Sequence, residues 1–459
     1  MAIIIENSQP VEQSTNFTFN QRYIARVCLV AALGGVLFGF DLVVISGAVP
    51  FFTQDFQLSS VQQGLAVGCI NLGSALGALV AGRLSDSLGR RKFLLPCALL
   101  FALTGVGTGW AGGFAWFVFF RILSGVAVGA AALVAPMYIA EIAPANLRGR
   151  LIAFYQLAIV VGLLLAYIAN YALLNVGPNN WRWMFTSQAA PALLFFVGLF
   201  FVPESPRWLV KKRLLDQARA VLKRVGGESY AAAEMTAIQG TVSTQSQESL
   251  SDLFKPNLRR ALTVGCLVAI FSQIAGQNSV LSYAPVIFAQ TGIGASSSFA
   301  QSILVGVICF AFTFVAIGSV DKVGRRTLLL WGSLLLALFL AGLAVSFQLN
   351  WTSGYIVLGL ILAYVGTYSA TLGPVTWVAV SEIFPTRIRG YAMAVATLTL
   401  WIANFFTTAS FPILKEEFGL AVTFGIHMVI CLVYFAVVWR YVPETKGKSL
   451  EEIEAIMTA

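Results

Sequence analysis

The chain has 459 residues, of which 58% are hydrophobic and only 11% charged, with a net charge of +9. That balance excludes a single water-soluble globule, because apolar runs reach and exceed the roughly 20 residues that span a bilayer as helix. All 6 cysteines lie within apolar runs and show no metal-ligand spacing, which argues against a disulfide framework or a thiolate metal site.

Residues 1–21 are polar, with Glu6 and Glu12 and no apolar core, so no cleavable signal peptide is expected and the first span itself directs insertion. Twelve apolar runs follow, near 24–50, 61–82, 93–111, 114–140, 151–174, 184–202, 260–288, 298–318, 327–347, 354–380, 391–412 and 421–441. The interval 203–259 breaks the pattern with Arg207, Lys211, Lys212, Arg213, Arg219, Lys223 and Arg224 and a Ser/Gln/Glu stretch at 243–251. It reads as short amphipathic helices and a linker between two six-helix halves. The expected class is an all-α membrane protein of twelve transmembrane helices in two pseudo-symmetric bundles. Its segments are a cytoplasmic N-terminal stretch (1–22), the first bundle (23–202), an intracellular helical linker (203–259), the second bundle (260–441) and a cytoplasmic tail (442–459).

Orientation follows from the basic residues, since short cytoplasmic loops retain Lys and Arg. Of 29, only Arg182 and Lys415 fall in loops on the outer side and only Arg121 falls within a span, so both termini are expected in the cytoplasm. The positive balance therefore needs no nucleic-acid partner. Charged motifs recur about 240 residues apart: "SDSLGRR" (85–91) returns as "SVDKVGRR" (319–326), "AEIAPANLRG" (140–149) as "SEIFPTRIRG" (381–390), and "VPESPRWL" (202–209) as "VPETKG" (442–447). Internal duplication of a membrane bundle is a mark of secondary transporters, whose substrate site lies between the halves.

Two ionisable residues lie well inside predicted spans, each costing about 2.5–3.5 kcal/mol at a helix centre on insertion scales. Asp41 is fifteen residues above Arg26, about 22 Å up helix one, and Arg121 is nineteen residues before the end of helix four near Ala140, about 28 Å up. Both fall in the outer half of the membrane, where they can meet. The pair is either a static bridge that fixes packing or a proton switch whose carboxyl takes a proton when the arginine moves away. A second set lies at the cytoplasmic ends: Asp86, Arg90, Arg91, Glu141 and Arg148, matched by Asp321, Arg325, Arg326, Glu382 and Arg389. Topology alone accounts for the basic members. The matched Glu141 and Glu382 point to a gate that pairs when the inner side is closed and releases when it opens. His427, the only histidine, has no acidic neighbour in sequence and reads as a packed core residue rather than a proton relay.

These motifs, together with "GFDLVVISGAV" (39–49), "FRILSGVAVG" (120–129) and "GPVTWVAVSEIFP" (373–385), resemble the sugar porter family of the major facilitator superfamily over about residues 23–450. Within that family the chain is most similar to bacterial xylose– and glucose–proton symporters. The resemblance implies a substrate pocket at Gln156, Gln273, Asn278, Trp377, Trp401 and Asn404. The chemistry agrees, since amides serve sugar hydroxyls as donor and acceptor while aromatic rings pack on C–H faces. An intramembrane amide is equally well interhelical glue. In a regular helix Gln273 and Asn278 point about 140° apart. Gly276 between them, and Gly373 and Pro374 before Trp377, mark expected helix breaks that turn these side chains toward a cavity. Where relatives carry further polar or aromatic groups, this chain has Leu163, Ser272, Cys309, Leu400 and Ser282. The pocket therefore offers fewer polar contacts, and the sugar itself is not carried over.

The resemblance implies symport of a proton with a monosaccharide, a hexose such as glucose or a pentose such as xylose, by alternating access in the inner (plasma) membrane. It implies a monomer with no cofactor and no metal. Asp41 is the discriminating residue, because facilitative relatives commonly carry a neutral amide there. One alternative is a facilitative uniporter with a structural Asp41–Arg121 pair. The other is a transporter-like sugar sensor, disfavoured because only 16 residues follow Pro443. An enzyme is not expected, for the sequence shows no phosphate-cradling loop, metal cluster or nucleophile–base pair.

Overall fold

The computed structural model describes residues 17–243 and 255–458, apart from 293, 352, 386, 387 and 449. Among the described residues every regular element is a helix. Residues 1–16 and most of the Ser/Gln/Glu stretch lie outside them. The first half comprises α1 (Gln21–Asp55), α2 (Ser60–Leu88), α3 (Arg90–Gly109), α4 (Phe114–Ile142), α5 (Ala145–Leu173) and a sixth span in two pieces, α6 (Asn180–Ser187) and α7 (Ala189–Leu199). Pro191 has no N–H to offer the Ser187 carbonyl, and the two pieces part there. The interval between halves forms α8 (Pro206–Lys211) and α9 (Leu215–Ser243), the latter kinked at Gly226 and Gly227. At that kink, hydrogen bonds from Lys223 and Arg219 hold the Glu228 carboxyl below the usual carboxylate range.

The second half has α10 (Pro256–Ile274) and α11 (Gln277–Ala289) as one broken span, then α12 (Ala295–Val323) and α13 (Arg325–Gln348). Next come α14 (Gly354–Ala370) and α15 (Leu372–Ile383) as a second broken span, then α16 (Arg389–Tyr441) and a terminal α17 (Leu450–Thr458). The sequence pattern separates helices eleven and twelve by a loop around Lys415, whereas α16 stays helical through that segment and departs from helical geometry at Gly419. Both ends of α16 lie at the same face of the molecule: Arg389 bonds the Phe384 carbonyl and Arg326 bonds the Trp439 carbonyl. The chain therefore turns back at Gly419 and crosses twice. Counting 10 helical segments long and apolar enough to cross a membrane, with α16 contributing two crossings and α6–α7 one more, the described fold has the expected twelve.

Packing repeats between the halves. In the first, α2 lies against α4 and α1 against α5; in the second, α12 lies against α14 and α10 against α16. The α2–α4 seam is a backbone contact: a Cβ on Gly73 would fall 2.1 Å from the Ile122 carbonyl oxygen, and one on Gly129 would fall 2.0 Å from that of Ser74. With little hydrophobic force between helices in lipid, such small-residue seams supply association through close dispersion contact. The halves meet through α2 with α16, α5 with α12 and α1 with α11. The Tyr167 hydroxyl donates to the Leu281 carbonyl at 2.9 Å, and Asn404 donates to Asn71 at 2.9 Å. Ring pairs Phe51–Phe299 and Phe38–Trp401 join the same seam, which lies away from the repeated GRR loops.

Both expected helix breaks are present. Gly276, at φ 98°, separates α10 from α11 and orphans the last carbonyls of α10. Three side chains cover the break: Tyr368 donates to the Ser272 carbonyl (3.1 Å), the His427 Nδ1–H to that of Ile274 (3.0 Å), and Tyr364 to that of Ala275 (2.8 Å). His427 is thus a packed residue that caps a broken helix. The second break falls at Thr371, two residues ahead of Gly373, because Pro374 leaves the Ala370 carbonyl without its helical donor. All six cysteines are free thiols, buried except for the half-buried Cys266.

A Cβ on Gly276 would sit 2.9 Å from the His427 ring at a left-handed φ, so Gly276→Ala is expected to cost about 1–3 kcal/mol of stability. Thermal unfolding of the purified protein reads this out. Gly359→Ala, where a Cβ meets nothing within 4 Å, is expected to stay within about 1 kcal/mol of the parent.

Candidate functional site

The intramembrane charges meet. Nη1 of Arg121 on α4 donates to Asp41 Oδ1 on α1, the N···O distance being 2.5 Å, with the two side chains 1% and 0% exposed. The second carboxylate oxygen is also occupied, by the Ser124 hydroxyl at 2.7 Å. Ser124 is three residues after Arg121, so helix periodicity sets both on the same face of α4. On the arginine the balance is incomplete. Nε and Nη2 of Arg121 have no hydrogen-bond partner among the described residues, and the guanidinium carbon lies 5.6 Å from the centre of the Phe185 ring. A buried guanidinium with one bonded nitrogen and two idle ones is held by a single carboxylate, so anything that neutralises Asp41 unbalances it.

Phe38, about one helical turn before Asp41, and Leu42, the residue after it, line a small cavity between the halves together with Ile70, Asn71, Ser74, Val128 and Trp401. Of the six expected pocket residues, only Trp401 lines this cavity. Gln273 and Asn278 are joined directly, Asn278 Nδ2 donating to Gln273 Oε1 at 2.8 Å across the Gly276 break, and Gln273 donates on to Ser272 Oγ at 3.2 Å. Trp401 lies on the cavity wall against Phe38, their ring centres 5.8 Å apart. Asn404, 1% exposed, does not face open space: its Nδ2 is bonded to Asn71 and its Oδ1 accepts from Thr408 at 3.2 Å. Gln156 on α5 is half-buried and Trp377 on α15 is 40% exposed, and neither joins the Gln273–Asn278 pair.

At the repeated motifs the charges form two matching clusters. In the first, Arg90 takes Glu141 with two nitrogens (2.9 and 3.0 Å), Asp86 (2.7 Å) and the Ser85 carbonyl (3.0 Å), while Lys211 of α8 adds to Asp86. In the second, Arg325 takes Glu382 and Asp321, both at 3.0 Å. Two acids beyond the expected set complete them. Glu204 accepts the backbone N–H groups of Arg90, Arg91 and Lys92 at the start of α3, and Glu444 accepts those of Arg325, Arg326 and Thr327 at the start of α13. Each carboxylate satisfies the orphan donors of a helix N-terminus and meets its positive dipole end. Arg91 and Arg326 differ from expectation. They donate to carbonyls at the far helix ends, of Leu199 and of Trp439, rather than to acids. Arg148 and Arg389 stand in the first turns of α5 and α16, the latter donating to the Phe384 carbonyl. The bonds of Arg90 reach within the first half and the segment that follows it, and those of Arg325 within the second half and the tail.

The residues that sequence reasoning passed over are Ser124, Asn71, Glu204 and Glu444. Signals existed for each: Ser124 by its spacing from Arg121, Asn71 as an amide in an apolar run, and the two acids as the shared letter of the repeated PES and PET motifs.

Removing Arg121 leaves a buried unpaired carboxylate. Arg121→Met is therefore expected to destabilise by about 3–5 kcal/mol, and the double change Asp41→Leu/Arg121→Met to recover most of it. Unfolding midpoints of the three proteins in one detergent check this. Glu444→Ala, which removes the acceptor of the Arg325, Arg326, Thr327, Thr445 and Lys446 N–H groups, is expected to lose about 1–3 kcal/mol in the same assay.

Comparison with known proteins gives concordant findings. The family model described as "Sugar (and other) transporter" matches residues 27–457. The chain is 38% identical to the arabinose-proton symporter of Bacillus subtilis over 458 residues, 98% of each chain. Among solved structures it is similar to the inward open conformation of the xylose transporter XylE from E. coli, with a TM-score of 0.85, 36% identity and coverage of 95% of this chain and 100% of that one. The proton:xylose symporter XylE bound to 6-bromo-6-deoxy-D-glucose is similar at a TM-score of 0.78, with 36% identity over 96% of this chain and 100% of that one.

Proposed function

The chain belongs to the sugar (and other) transporter family, and we propose that it is a proton-coupled symporter of a monosaccharide, working by alternating access as a monomer in the bacterial plasma membrane with both termini in the cytoplasm. The observation that carries proton coupling is the buried Asp41–Arg121–Ser124 group, whose chain neighbour Leu42 lines the cavity between the halves. The relatives named above are an arabinose-proton and a proton:xylose symporter, which favours a pentose as cargo.

In this reading Asp41 takes a proton from the outside, its hold on Arg121 loosens, and the guanidinium is left with donors to satisfy elsewhere. That rearrangement changes the packing of α1 against α4 beside the cavity. Sugar binds between the halves through Gln273 and Asn278, with Gln156, Trp377, Trp401 and Asn404 as further contacts. Several neutral hydrogen bonds of about 0.5–1.5 kcal/mol each suit a site that must also release its cargo. A proton moving down 100 mV supplies about 2.3 kcal/mol, or roughly fifty-fold accumulation of sugar. The clusters around Arg90 and Arg325 act, in this reading, as fasteners that keep each half rigid while the two rock. The Arg90–Glu141 and Arg325–Glu382 pairs each lie within one half, so separating the halves does not break them. Contacts between halves lie away from the GRR loops; with those loops in the cytoplasm, the described conformation is closed to the outside, in line with its likeness to an inward open relative.

The experiment is external pH during addition of D-xylose, L-arabinose or D-glucose to de-energised proteoliposomes holding the protein. Symport gives alkalinisation with one of these sugars, absent in Asp41→Asn although sugar exchange persists. Sugar entry without a pH change makes the protein a uniporter and the ion pair structural.

A further inference from the structure

The bond between Asn71 and Asn404 joins two bodies that alternating access requires to separate. Both side chains are buried, 3% and 1% exposed, and each amide is used at both ends. Asn71 donates to the Gly68 carbonyl at 3.1 Å, which turns its Oδ1 toward α16; that oxygen accepts Asn404 Nδ2 at 2.9 Å; and Asn404 Oδ1 accepts from Thr408. The backbones touch beside it, since a Cβ on Gly64 would fall 2.0 Å from the Ala409 carbonyl oxygen. Asn71 also lines the cavity, next to Ser74 and Trp401.

A buried neutral amide pair across a moving seam exists in one state only. When α2 and α16 part, Asn404 Nδ2 loses its acceptor in an apolar region where an unpaired donor is costly. A sugar hydroxyl in the adjacent cavity is the acceptor that can replace it. We infer that Asn71 is a state-setting residue which competes with the sugar for Asn404: the asparagine pair latches the seam when the site is empty, and sugar takes over the Asn404 amide as the latch opens. This rests on the reading of Asn404 as a sugar contact, and the two parts fail separately.

The latch is tested without sugar by spin labels at Val61→Cys on α2 and Phe418→Cys on α16, both exposed and at the seam's outer end, with Cys266→Ser removing the half-buried thiol. Against this parent, Asn71→Leu is expected to raise the ratio of long to short label distances about 5- to 30-fold. Asn71→Ser, too short to reach Asn404, is expected to shift it the same way and guards against a Leu variant that fails to fold. Asn71→Leu/Asn404→Leu is expected to shift the ratio no further than Asn404→Leu alone. Unchanged distances in both Asn71 variants overturn the latch. Equilibrium binding of D-xylose and L-arabinose tests the competition: Asn71→Leu is expected to tighten the bound sugar by a similar factor, and Asn404→Leu to weaken it at least tenfold. Distances that shift while Asn404→Leu leaves both affinities unchanged overturn the competition and the pocket role of Asn404, and leave the latch standing.

Discussion

A polypeptide inside hydrocarbon has to satisfy its own backbone, and the functional part of this protein is built where that requirement is hardest to meet. Helices α10 and α14 both stop within the membrane, and each stop exposes carbonyls that regular helix would have used. Tyr364, Tyr368 and His427, from two different helices, are spent on three of them. The break so stabilised lets Gln273 and Asn278 bond each other from opposite sides of it, something no straight helix permits. The sole histidine, which by its chemistry suggests proton transfer, is committed to holding a bend.

The ion pair is governed by the same scarcity of partners. Arg121 and Ser124 converge on Asp41, yet the guanidinium ends with two nitrogens idle, whereas both carboxylate oxygens are engaged. Such imbalance is tolerable only while the carboxylate keeps its charge, and in the proposed coupling one protonation event is enough to alter how α1 and α4 hold together. In the charge clusters at the repeated motifs, Arg90 finds Glu141, Asp86 and the Ser85 carbonyl, Arg325 finds Glu382 and Asp321, and each helix start finds a carboxylate, so they resist change.

Much of this was legible in the residues, for identifiable reasons. Asp41 and Arg121 stand out because charge is rare in apolar runs, and Gly276 stands out because a break needs a residue that tolerates positive φ. The break in helix ten was read two residues late, since the eye goes to Gly373 and Pro374, while the missing donor of Pro374 acts four residues upstream. Helices eleven and twelve were separated around Lys415, Glu416 and Glu417, where charge interrupts the apolar pattern without interrupting the helix. Asn71 and Ser124 went unread because a polar residue in an apolar helix declares no direction; only the neighbour across the seam gives it one. Asn404 was read as facing cargo, and in the described conformation it faces another helix.

The placement of Glu204 and Glu444 bears on how the chain is made. Each acid follows the last helix of its half and joins arginines already synthesised, Lys211 adding to the first cluster seven residues after Glu204. The first bundle therefore has every side chain of its fastening by Lys211, before any residue of the second bundle leaves the ribosome. Nascent helices α1 to α7 can be sealed into one unit by their own carboxylate. The contacts across α2 and α16 form last, between two finished bodies, and the same order of assembly leaves that seam as the one free to come apart again in every transport cycle.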